Sequence, residues 1–401
     1  MLVRFMAAGV ALVLAAAAAV QAQDPLVGDF IIEPIVIGGP DDGIVSDEPM
    51  LSATSQSDGI IEAPMVFAEA PGPGAEASGA THPRGGCHHP PGCGCAAMPR
   101  DYVVFDVLFL DRDNATNNQP ILVDGPAGLN PGGTVMTTRH LTPTTGPGVR
   151  LFVGRHSGDT LGWEMGYWGV YGWYGDARAT TNKALAVPGG VPGWDAVSDV
   201  RATWSSTLNV AELNLLASEF TSGCEPCSPW PQRRCRHDTV VDWIGGLFWA
   251  GLDEQAALQV SPLVGQPSTS YRVTTSSNLF GGQLGVRGRR TWDRFSLEGS
   301  LKAGLGGAWL TQSSPPIGSY RPGRSAADTD LGFLSTMNGT MAYRFNDVWA
   351  LRLGYNLAWL SGVALAPNQW DFTDTKAGGT GVRGAGGVFL HGANVGLEAR
   401  W

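Results

Sequence analysis

Apolar and polar positions alternate with a period of two over long stretches of the chain beyond residue 100. In the segment RFSLEGSLKAGLGGAW, residues 294–309, every second position from Phe295 onward is apolar or glycine, and charged or small residues lie between. The segment VWALRLGYNLAWL, residues 348–360, repeats this pattern. A period of two predicts β-strands, and these runs are much longer than the roughly five or six residues of an ordinary globular strand. Long strands with one apolar face are typical of transmembrane barrels, in which about 9 to 11 residues cross the bilayer at a tilt.

The same alternation predicts ten long strands in one antiparallel barrel over residues 101–401. The predicted strands are 101–110, 148–154, 161–174, 200–217, 239–252, 273–288, 293–310, 330–345, 348–361 and 388–401. The connections between them alternate between long and short, except for 218–238, as expected when a periplasmic N-terminus makes every odd connection external. The fold class is therefore all-β, a single transmembrane antiparallel up-and-down β-barrel. Its strand count rises to twelve if segments 121–123 and 134–141 form an additional hairpin.

Aromatic residues lie near both ends of several predicted strands. Outer-membrane barrels carry aromatic girdles at the two membrane interfaces, whereas a soluble sandwich has no need of them. The residues are Phe295, Trp309, Trp349, Trp359, Phe389 and Trp401.

The first hundred residues have a different character. Residues 1–22, MLVRFMAAGVALVLAAAAAVQA, combine one arginine, a short apolar run and a small-residue cleavage pattern, which predicts a secretory signal peptide. Residues 23–100 are rich in Pro, Gly, Ala and Asp and predict a disordered tail. Between Gln23 and Pro83 there are eleven Asp or Glu residues and no Lys or Arg, so the net charge of −10 belongs to this tail. The absence of a basic region excludes a nucleic-acid partner.

Three stretches resemble one known family. They are LFGGQLGVRGRRTWDRFSLEGSLKAGLG at 279–306, FNDVWALRLGYNLAWLSGV at 345–363 and the closing VGLEARW. Together they resemble the outer-membrane β-barrel porin-7 family of planctomycete-type bacteria, and WIGGLFWAGLDE at 243–254 looks like that family's mid-barrel strand ending in a Leu-Asp-Glu turn. The resemblance covers 200–401 well and 101–200 loosely. It implies an outer-membrane barrel and a porin, with no catalytic motif and no defined solute.

Six cysteines fall in two clusters that the topology would place on the periplasmic side. We expect disulfides, some of them joining the tail to the 218–238 connection, because exported chains are oxidised. A metal site is the less favoured alternative, since the spacing of Cys87, His88, His89, Cys93 and Cys95 does not match a zinc finger. The cysteines are Cys87, Cys93, Cys95, Cys224, Cys227 and Cys235.

Ten charged residues fall on the predicted inward face of the barrel. Two interpretations stay open: a lumen lining that sets ion selectivity, or a paired polar core that plugs a narrow barrel. The mixed signs predict neither strong anion nor strong cation preference. The residues are Asp106, Glu164, Asp242, Arg287, Glu298, Lys302, Arg344, Arg352, Glu398 and Arg400.

The C-terminal pattern resembles the signal by which the assembly machinery recognises outer-membrane barrels, with Gly396, Ala399 and Trp401 as its members. We therefore expect outer-membrane lipid and that machinery as partners, and the tail could bind a periplasmic partner.

Two functions are compared on these grounds. The first is a porin for passive diffusion of small hydrophilic solutes. The second is a non-conducting barrel that anchors its tail and external loops at the outer membrane. We expect no cofactor and no enzymatic activity, because His140, His156 and His391 are scattered and no nucleophile motif surrounds any serine.

Overall fold

The described part of the chain folds into β-strands joined by turns and loops. The computed structural model describes residues 101–401 apart from 126–132, 158–159, 190, 192, 222–238, 264–266, 319 and 374–378. Two short 3-10 helices, Thr138–His140 and Ala366–Gln369, lie in external loops. The strands are β1 Asp101–Arg112, β2 Pro120–Asp124, β3 Thr134–Thr137, β4 Gly146–Ser157, β5 Leu161–Ala186, β6 Val197–Thr221, β7 Thr239–Pro262, β8 Thr269–Trp292, β9 Phe295–Ser314, β10 Arg324–Arg344, β11 Trp349–Val363 and β12 Gly386–Arg400.

Ten of these strands form a closed ring. Strand β1 pairs with β12 on one side and with β4 on the other, and β4 to β12 follow in chain order, all antiparallel. The prediction of an all-β up-and-down barrel of ten strands is therefore confirmed. The additional hairpin also exists, as β2 and β3, but it attaches to the upper end of β5 through Val123 and Asp124 and adds no strand to the ring.

The outer wall carries an apolar belt near the barrel end at which Asp101 and Trp401 lie. We call this end periplasmic and the other end extracellular, following the orientation that the connection lengths predict. The side chains of the belt are unusually exposed for large apolar residues: Leu284 is 74% exposed, Leu215 71% and Leu297 53%. The predicted aromatic residues belong to this wall, with Phe295, Trp309, Trp349, Trp359, Phe389 and Trp401 all exposed. An exposed apolar belt on a closed ring is the surface that a transmembrane barrel presents to lipid.

Strands β5 to β8 continue far beyond the belt, since they contain 26, 25, 24 and 24 residues. Above the belt their outward side chains are polar, as in the pairs between Arg178 and Asp199 and between Arg201 and Asp176, both 2.9 Å. The predicted external connections 175–199, 253–272 and 311–329 were therefore wrong in extent. The observed connections are shorter, at 187–196, 263–268 and 315–323. The prediction failed there because the outward residues of the upper strands are polar, as the residues of loops are.

Strand β7 shows how the sequence changes at the upper edge of the belt. Below Gly251 large apolar residues lie on both faces: Trp243 and Leu247 are odd-numbered and exposed, whereas Ile244 and Phe248 are even-numbered and buried. Above Gly251 the large apolar residues are even-numbered and buried, as at Leu252 and Leu258. The ladder to β8 runs through this point without a register shift, so the outward face changes from apolar to polar along one continuous strand. The Leu-Asp-Glu turn expected at 252–254 is absent, because β7 continues to Pro262.

The loop between β11 and β12 turns into the barrel. The β11–β12 ladder shifts register between Ser361 and Val363, and Gly362 between them has a φ of +77°. A side chain at Gly362 would collide with the backbone of Leu331 and Gly332. Only glycine fits both constraints, and the turn directs residues 364–373 into the mouth of the ring. Among the described residues, no helix is long and apolar enough to cross a bilayer.

Candidate functional site: the filled lumen

The periplasmic half of the lumen contains a charge-balanced cluster, which we call the ionic layer. It has six carboxylates and six cations, so its formal charge is zero. The period of two explains why these residues meet, since every strand of the ring except β10 contributes one or two inward positions at similar height. The members are Asp106, Glu164, Glu212, Asp242, Glu298, Glu398, Arg150, Arg287, Arg289, Lys302, Arg352 and Arg400.

Arg352 is the centre of the first part of the ionic layer. Its guanidinium pairs with the carboxylate of Glu398, lies 3.4 Å from Glu298 and lies 3.6 Å from Asp106. Asp106 also pairs with Arg150, and Arg289 reaches Glu398 at 2.7 Å. The side chains of Asp106, Arg352 and Glu398 are each no more than 4% exposed. These groups are therefore paired away from water, not presented to it.

Arg287 is the centre of the second part. It lies 2.5 Å from a carboxylate oxygen of Glu164 and 2.9 Å from one of Asp242. The Tyr102 hydroxyl donates to Glu164 at 2.5 Å and accepts from Arg287 at 3.2 Å. The Arg400 guanidinium stacks over the Tyr102 ring at 5.4 Å, so this tyrosine links the two parts.

The third part joins Lys302 to Glu212. Gln283 donates to Glu212 at 2.9 Å, and Asn214 donates to it at 3.2 Å. Above these groups lies a cavity of about 90 Å³, bordered by Arg150, Lys302 and Asn338 among others. Apolar side chains such as Leu108, Phe152 and Trp168 also border this cavity, and a space of this size holds a few water molecules.

The extracellular half of the lumen is an apolar core. It contains buried aliphatic and aromatic side chains from the upper strands together with residues of the β11–β12 loop, which we call the plug, 364–373. Its largest fully buried members are Trp173, Trp194, Trp370, Tyr271, Phe248, Leu208 and Leu252. Within the plug, Leu365, Ala366 and Trp370 are 1% exposed or less. A core packed in this way excludes water from the mouth of the ring.

Hydrogen bonds attach the plug to the wall. The backbone N–H of Ala366 donates to Glu254 at 2.8 Å, and that of Ala364 donates to the Ser277 hydroxyl at 3.0 Å. On the other side, the Gln119 amide donates to the Trp370 carbonyl at 2.9 Å. The plug is thus anchored to β7, β8 and the loop after β1.

Glu254 is itself held by a buried ion pair. A guanidinium nitrogen of Arg112 lies 2.5 Å from its carboxylate, and both side chains are at most 3% exposed. The guanidinium stacks on the Trp204 ring at 4.5 Å and donates to the Ser206 hydroxyl at 2.5 Å. This arrangement fixes the carboxylate that receives the Ala366 N–H, so the upper core contains one ionic anchor.

The outer end of the plug is organised around Asp371. Its carboxylate accepts the N–H of Thr373 at 3.0 Å and that of Gly379 at 2.9 Å, and Arg321 donates to its backbone carbonyl at 2.5 Å. Partial burial alone would raise the pKa of Asp371, but these hydrogen bonds outweigh it and hold the pKa below the usual range of an aspartate.

Nine of the ten charged residues expected inside the lumen belong to the ionic layer. The exception is Arg344, which lies on the inward row but at the periplasmic rim, where it donates to the Asp293 carbonyl at 3.2 Å. Sequence reasoning missed five charged residues: Arg112, Arg150, Glu212, Glu254 and Arg289. The period of two could have identified three of them, because residues an even number of positions apart on one strand face the same side. Arg112 lies six positions from Asp106, Glu254 lies twelve from Asp242, and Arg289 lies two from Arg287.

The C-terminal residues close the ring. Backbone hydrogen bonds of 3.0 Å join Trp401 and Asp101 in both directions, and Trp401 is 39% exposed. Gly396 lies beneath the Asp106 carboxylate, which a side chain at that position would displace. Gly396 therefore has a packing role inside the barrel, while its role with Ala399 and Trp401 in assembly stays a prediction.

Several expectations fall outside the described residues. They are the signal peptide 1–22, the tail 23–100, all six cysteines, and His88 and His89. Among the residues that the structure does describe, no group of three or more His, Cys, Asp or Glu side chains could hold a metal ion.

Comparisons with known proteins find distant barrels. No family model matches the chain, and no curated protein matches it. The chain is similar to the outer membrane protease OmpT from Escherichia coli, with 9% identity over 75% of this chain and 97% of that one, and a TM-score of 0.46. It is also similar to a Pseudomonas aeruginosa FadL homologue, with 10% identity over 75% and 90% of the chains and a TM-score of 0.24. The anion-selective porin from Comamonas acidovorans gives 10% identity over 76% of this chain and 99% of that one, and a TM-score of 0.14. At these TM-scores none of the likenesses bears on function.

One expectation is corrected by these comparisons. The sequence predicted that the chain is not an enzyme, yet the barrels to which it is similar include a protease as well as channels. The lack of a recognisable catalytic motif is therefore no ground for excluding an enzyme with this fold. The likeness to the protease is likewise too distant to assign it an activity.

Proposed function

We propose that this protein is an outer-membrane barrel with a closed lumen, which holds an extracellular surface and its N-terminal tail at the membrane. The observation that carries the proposal is the filling of the lumen by two different layers. The ionic layer occupies the periplasmic half and the apolar core with its plug occupies the extracellular half. Membership of the porin-7 family is part of the same proposal and rests on the sequence resemblance.

The composition of the ionic layer supports a closed barrel over a selective pore. A pore lining presents charges to water, and its charged rings usually share one sign. Here six cations pair with six carboxylates, and Arg352 alone contacts three of them. Paired in this way, the charges neutralise each other, so the layer has no net formal charge.

The plug supports the proposal independently. Its residues from 364 to 370 are all buried, and its backbone donates to Glu254 and Ser277 inside the lumen. An external loop that only constricts a pore would keep one side exposed to water, whereas every residue from 364 to 370 is buried.

Planar-bilayer recording tests the proposal. The purified full-length protein, shown to be folded by its heat-modifiable gel shift, is expected to give no conductance steps. A positive control joins 365 to 384 by a short Gly-Ser linker and adds the charge-balanced pair Arg352→Ser and Glu398→Ser, which removes material from both layers. This variant is expected to conduct. Regular steps from the unmodified protein would restore the porin function and overturn the proposal.

A further inference from the structure

Lys302 differs chemically from every other cation of the ionic layer. The chain contains three lysines, Lys183, Lys302 and Lys376, and arginine supplies the other five cations of the layer. A guanidinium keeps its proton under ordinary conditions, whereas a lysine that loses its proton becomes a nucleophile toward carbonyl groups. Lys302 is 8% exposed. The layer thus contains one buried amine that is able to form a covalent bond.

The side chain of Lys302 lies across the neighbouring strand β8. Lys302 pairs with Gly285 in the β8–β9 ladder, and a side chain at Gly285 would lie 2.7 Å from the Lys302 Cγ. The glycine therefore leaves room for the lysine stem. Gln283 follows two positions from Gly285 on the same face of β8, and diagonal neighbours of this kind are within reach of long side chains.

Glu212 brings the amine and an amide to one atom. Its Oε2 accepts a hydrogen bond from Lys302 Nζ and another from Gln283 Nε2, the latter at 2.9 Å. Gln283 Nε2 also donates to Asn214 Oδ1 at 2.7 Å, so both of its hydrogens are engaged and the amide is fixed. Glu212, Gln283 and Asn214 are each no more than 5% exposed. A nucleophile, a proton carrier and an acyl group are therefore adjacent in a buried place.

We propose that Lys302 and Gln283 form an intramolecular isopeptide bond, with Glu212 as the proton carrier. The Lys302 ammonium gives one proton to the Glu212 carboxylate, and the neutral Nζ attacks Cδ of Gln283. The Nζ–Cδ bond forms as the Cδ–Nε2 bond breaks. A second proton passes from Nζ to the leaving nitrogen, which departs as ammonia. The product is a neutral amide beside a protonated Glu212.

The surroundings favour this reaction. One ammonium and one carboxylate become neutral together, so the ionic layer stays balanced and two charges no longer need to be held away from water. The Phe152 ring lies 5.2 Å from Nζ and helps to exclude water that would compete as a nucleophile. Lys302 and Glu212 both border the cavity of about 90 Å³, which has room for an ammonia molecule of roughly the size of water.

Asn214 is the second amide within reach, but its position favours it less. Asn214, Gly246 and Gln283 are register partners on β6, β7 and β8, so a lysine that comes from β9 meets Gln283 first. The Asn214 Nδ2 is also farther from the Glu212 oxygen, at 3.2 Å. The proton carrier therefore serves the Gln283 amide more directly.

Mass spectrometry of the folded full-length protein tests the proposal. The protein is refolded from urea into micelles, incubated, reduced and digested with trypsin. The peptide 273–287, which contains Gln283, should be joined to the peptide 295–324, which contains Lys302 and is no longer cleaved there. The joined mass should be about 17 Da below the sum of the two peptides, because one ammonia is lost. A sample kept in urea should give the separate peptides.

Two variants separate the chemistry from packing. Lys302→Arg keeps a cation beside Glu212 but has no amine, so it should give only separate peptides. Glu212→Gln keeps the size of the side chain but cannot carry a proton, and its cross-linking should be slower by about a hundredfold or more. The heat-modifiable gel shift shows that each variant is folded.

Three results would overturn the proposal. They are separate peptides from the incubated, folded protein, cross-linking of Glu212→Gln at the unmodified rate, and attachment of Lys302 to the peptide 202–233, which contains Asn214. The bilayer recording is independent of this outcome, since the bond joins two strands of the wall whether or not the lumen conducts.

Discussion

The lower and upper halves of the barrel place polarity on opposite sides of one wall. In the lower half Trp243 and Leu247 of β7 face outward and Asp242 faces the ionic layer. In the upper half Leu252 and Leu258 of the same strand face inward and Asp253 faces outward. The lower half is therefore built for lipid outside and ion pairs inside, and the upper half for water outside and an apolar core. One continuous ladder carries both, so the surroundings of the wall and not its hydrogen bonds determine which face is apolar.

The largest expected effect concerns the ionic layer. Arg352→Ala leaves Glu398, Glu298 and Asp106 without their shared cation in a buried place, which is expected to lower the free energy of unfolding by about 3–5 kcal/mol. Urea unfolding in lipid vesicles measures it. The double variant Arg352→Met with Glu398→Leu should recover part of the loss. A loss below about 1 kcal/mol for the single variant would mean that water reaches this layer.

The next prediction compares leucines from the two halves. Leu252 is fully buried in the upper core, so Leu252→Ala is expected to cost about 2–5 kcal/mol through the cavity it leaves. Leu284 is 74% exposed on the lipid-facing belt, and Leu284→Ala should cost much less because no protein cavity forms. Equal losses in the same urea experiment would contradict the division of the barrel into two halves.

A smaller effect is expected at the turn into the plug. Gly362→Ala combines a φ of +77° with a collision against the Leu331 backbone, at a cost of about 1–3 kcal/mol. Hydrogen exchange of the plug should accelerate, while that of the lower strands stays unchanged. Gly339→Ala is the matched control, since a side chain there meets nothing within 4 Å. Equal behaviour of the two variants would show that the turn does not hold the plug.

The pH dependence of the plug follows from Asp371. Its pKa is lowered on folding, so the ionised carboxylate stabilises the plug above the ordinary aspartate pKa of about 3.9. This contribution is lost as the pH falls through the lower, folded value. Hydrogen exchange of peptides from 366–383, corrected for intrinsic rates, should rise there. Asp371→Asn should remove the dependence, and a pH response that persists in this variant would assign it to another group.

The smallest effect is expected on the outer surface of the upper half. Arg178 and Asp199 form an exposed pair with side chains 63% and 28% accessible. Arg178→Ala is expected to change stability by less than about 1 kcal/mol. The same urea experiment measures it, and a loss as large as that of Arg352→Ala would mean that this face is covered by a partner.

Sequence periodicity predicted the ring well because contact with lipid requires an apolar residue at every outward position. A lipid-facing wall cannot tolerate charges, so the alternation in 294–309 and 348–360 is nearly perfect, and the observed β9 and β11 cover these segments. The upper half was predicted less well. There the apolar residues change sides, with Ala256, Leu258 and Val260 of β7 inward where Trp243 and Leu247 were outward, and the predicted connection 253–272 wrongly included this part of the strand.

The plug could not be predicted from local pattern. Residues 362–387 contain Gly, Pro and Asn in the proportions of an ordinary external loop. Their burial depends on contacts with Glu254 and Ser277, which are about a hundred residues distant along the chain. Charge pairing is non-local in the same way, so the sequence could place residues on the inner face but not match them with partners.

The polarity reversal in β7 also measures the membrane that this barrel fits. The outward apolar stretch runs from Val241 to Trp249, nine residues, which at about 3.3 Å each gives roughly 30 Å along the strand. A tilt of about 40° reduces this to roughly 23 Å along the normal, close to the apolar band of about 25 Å in outer-membrane barrels. The point at Gly251 where the pattern reverses thus fixes the hydrophobic thickness of the wall. In a thicker bilayer the polar upper strands would be drawn into hydrocarbon, so the protein should assemble best in short-chain lipid.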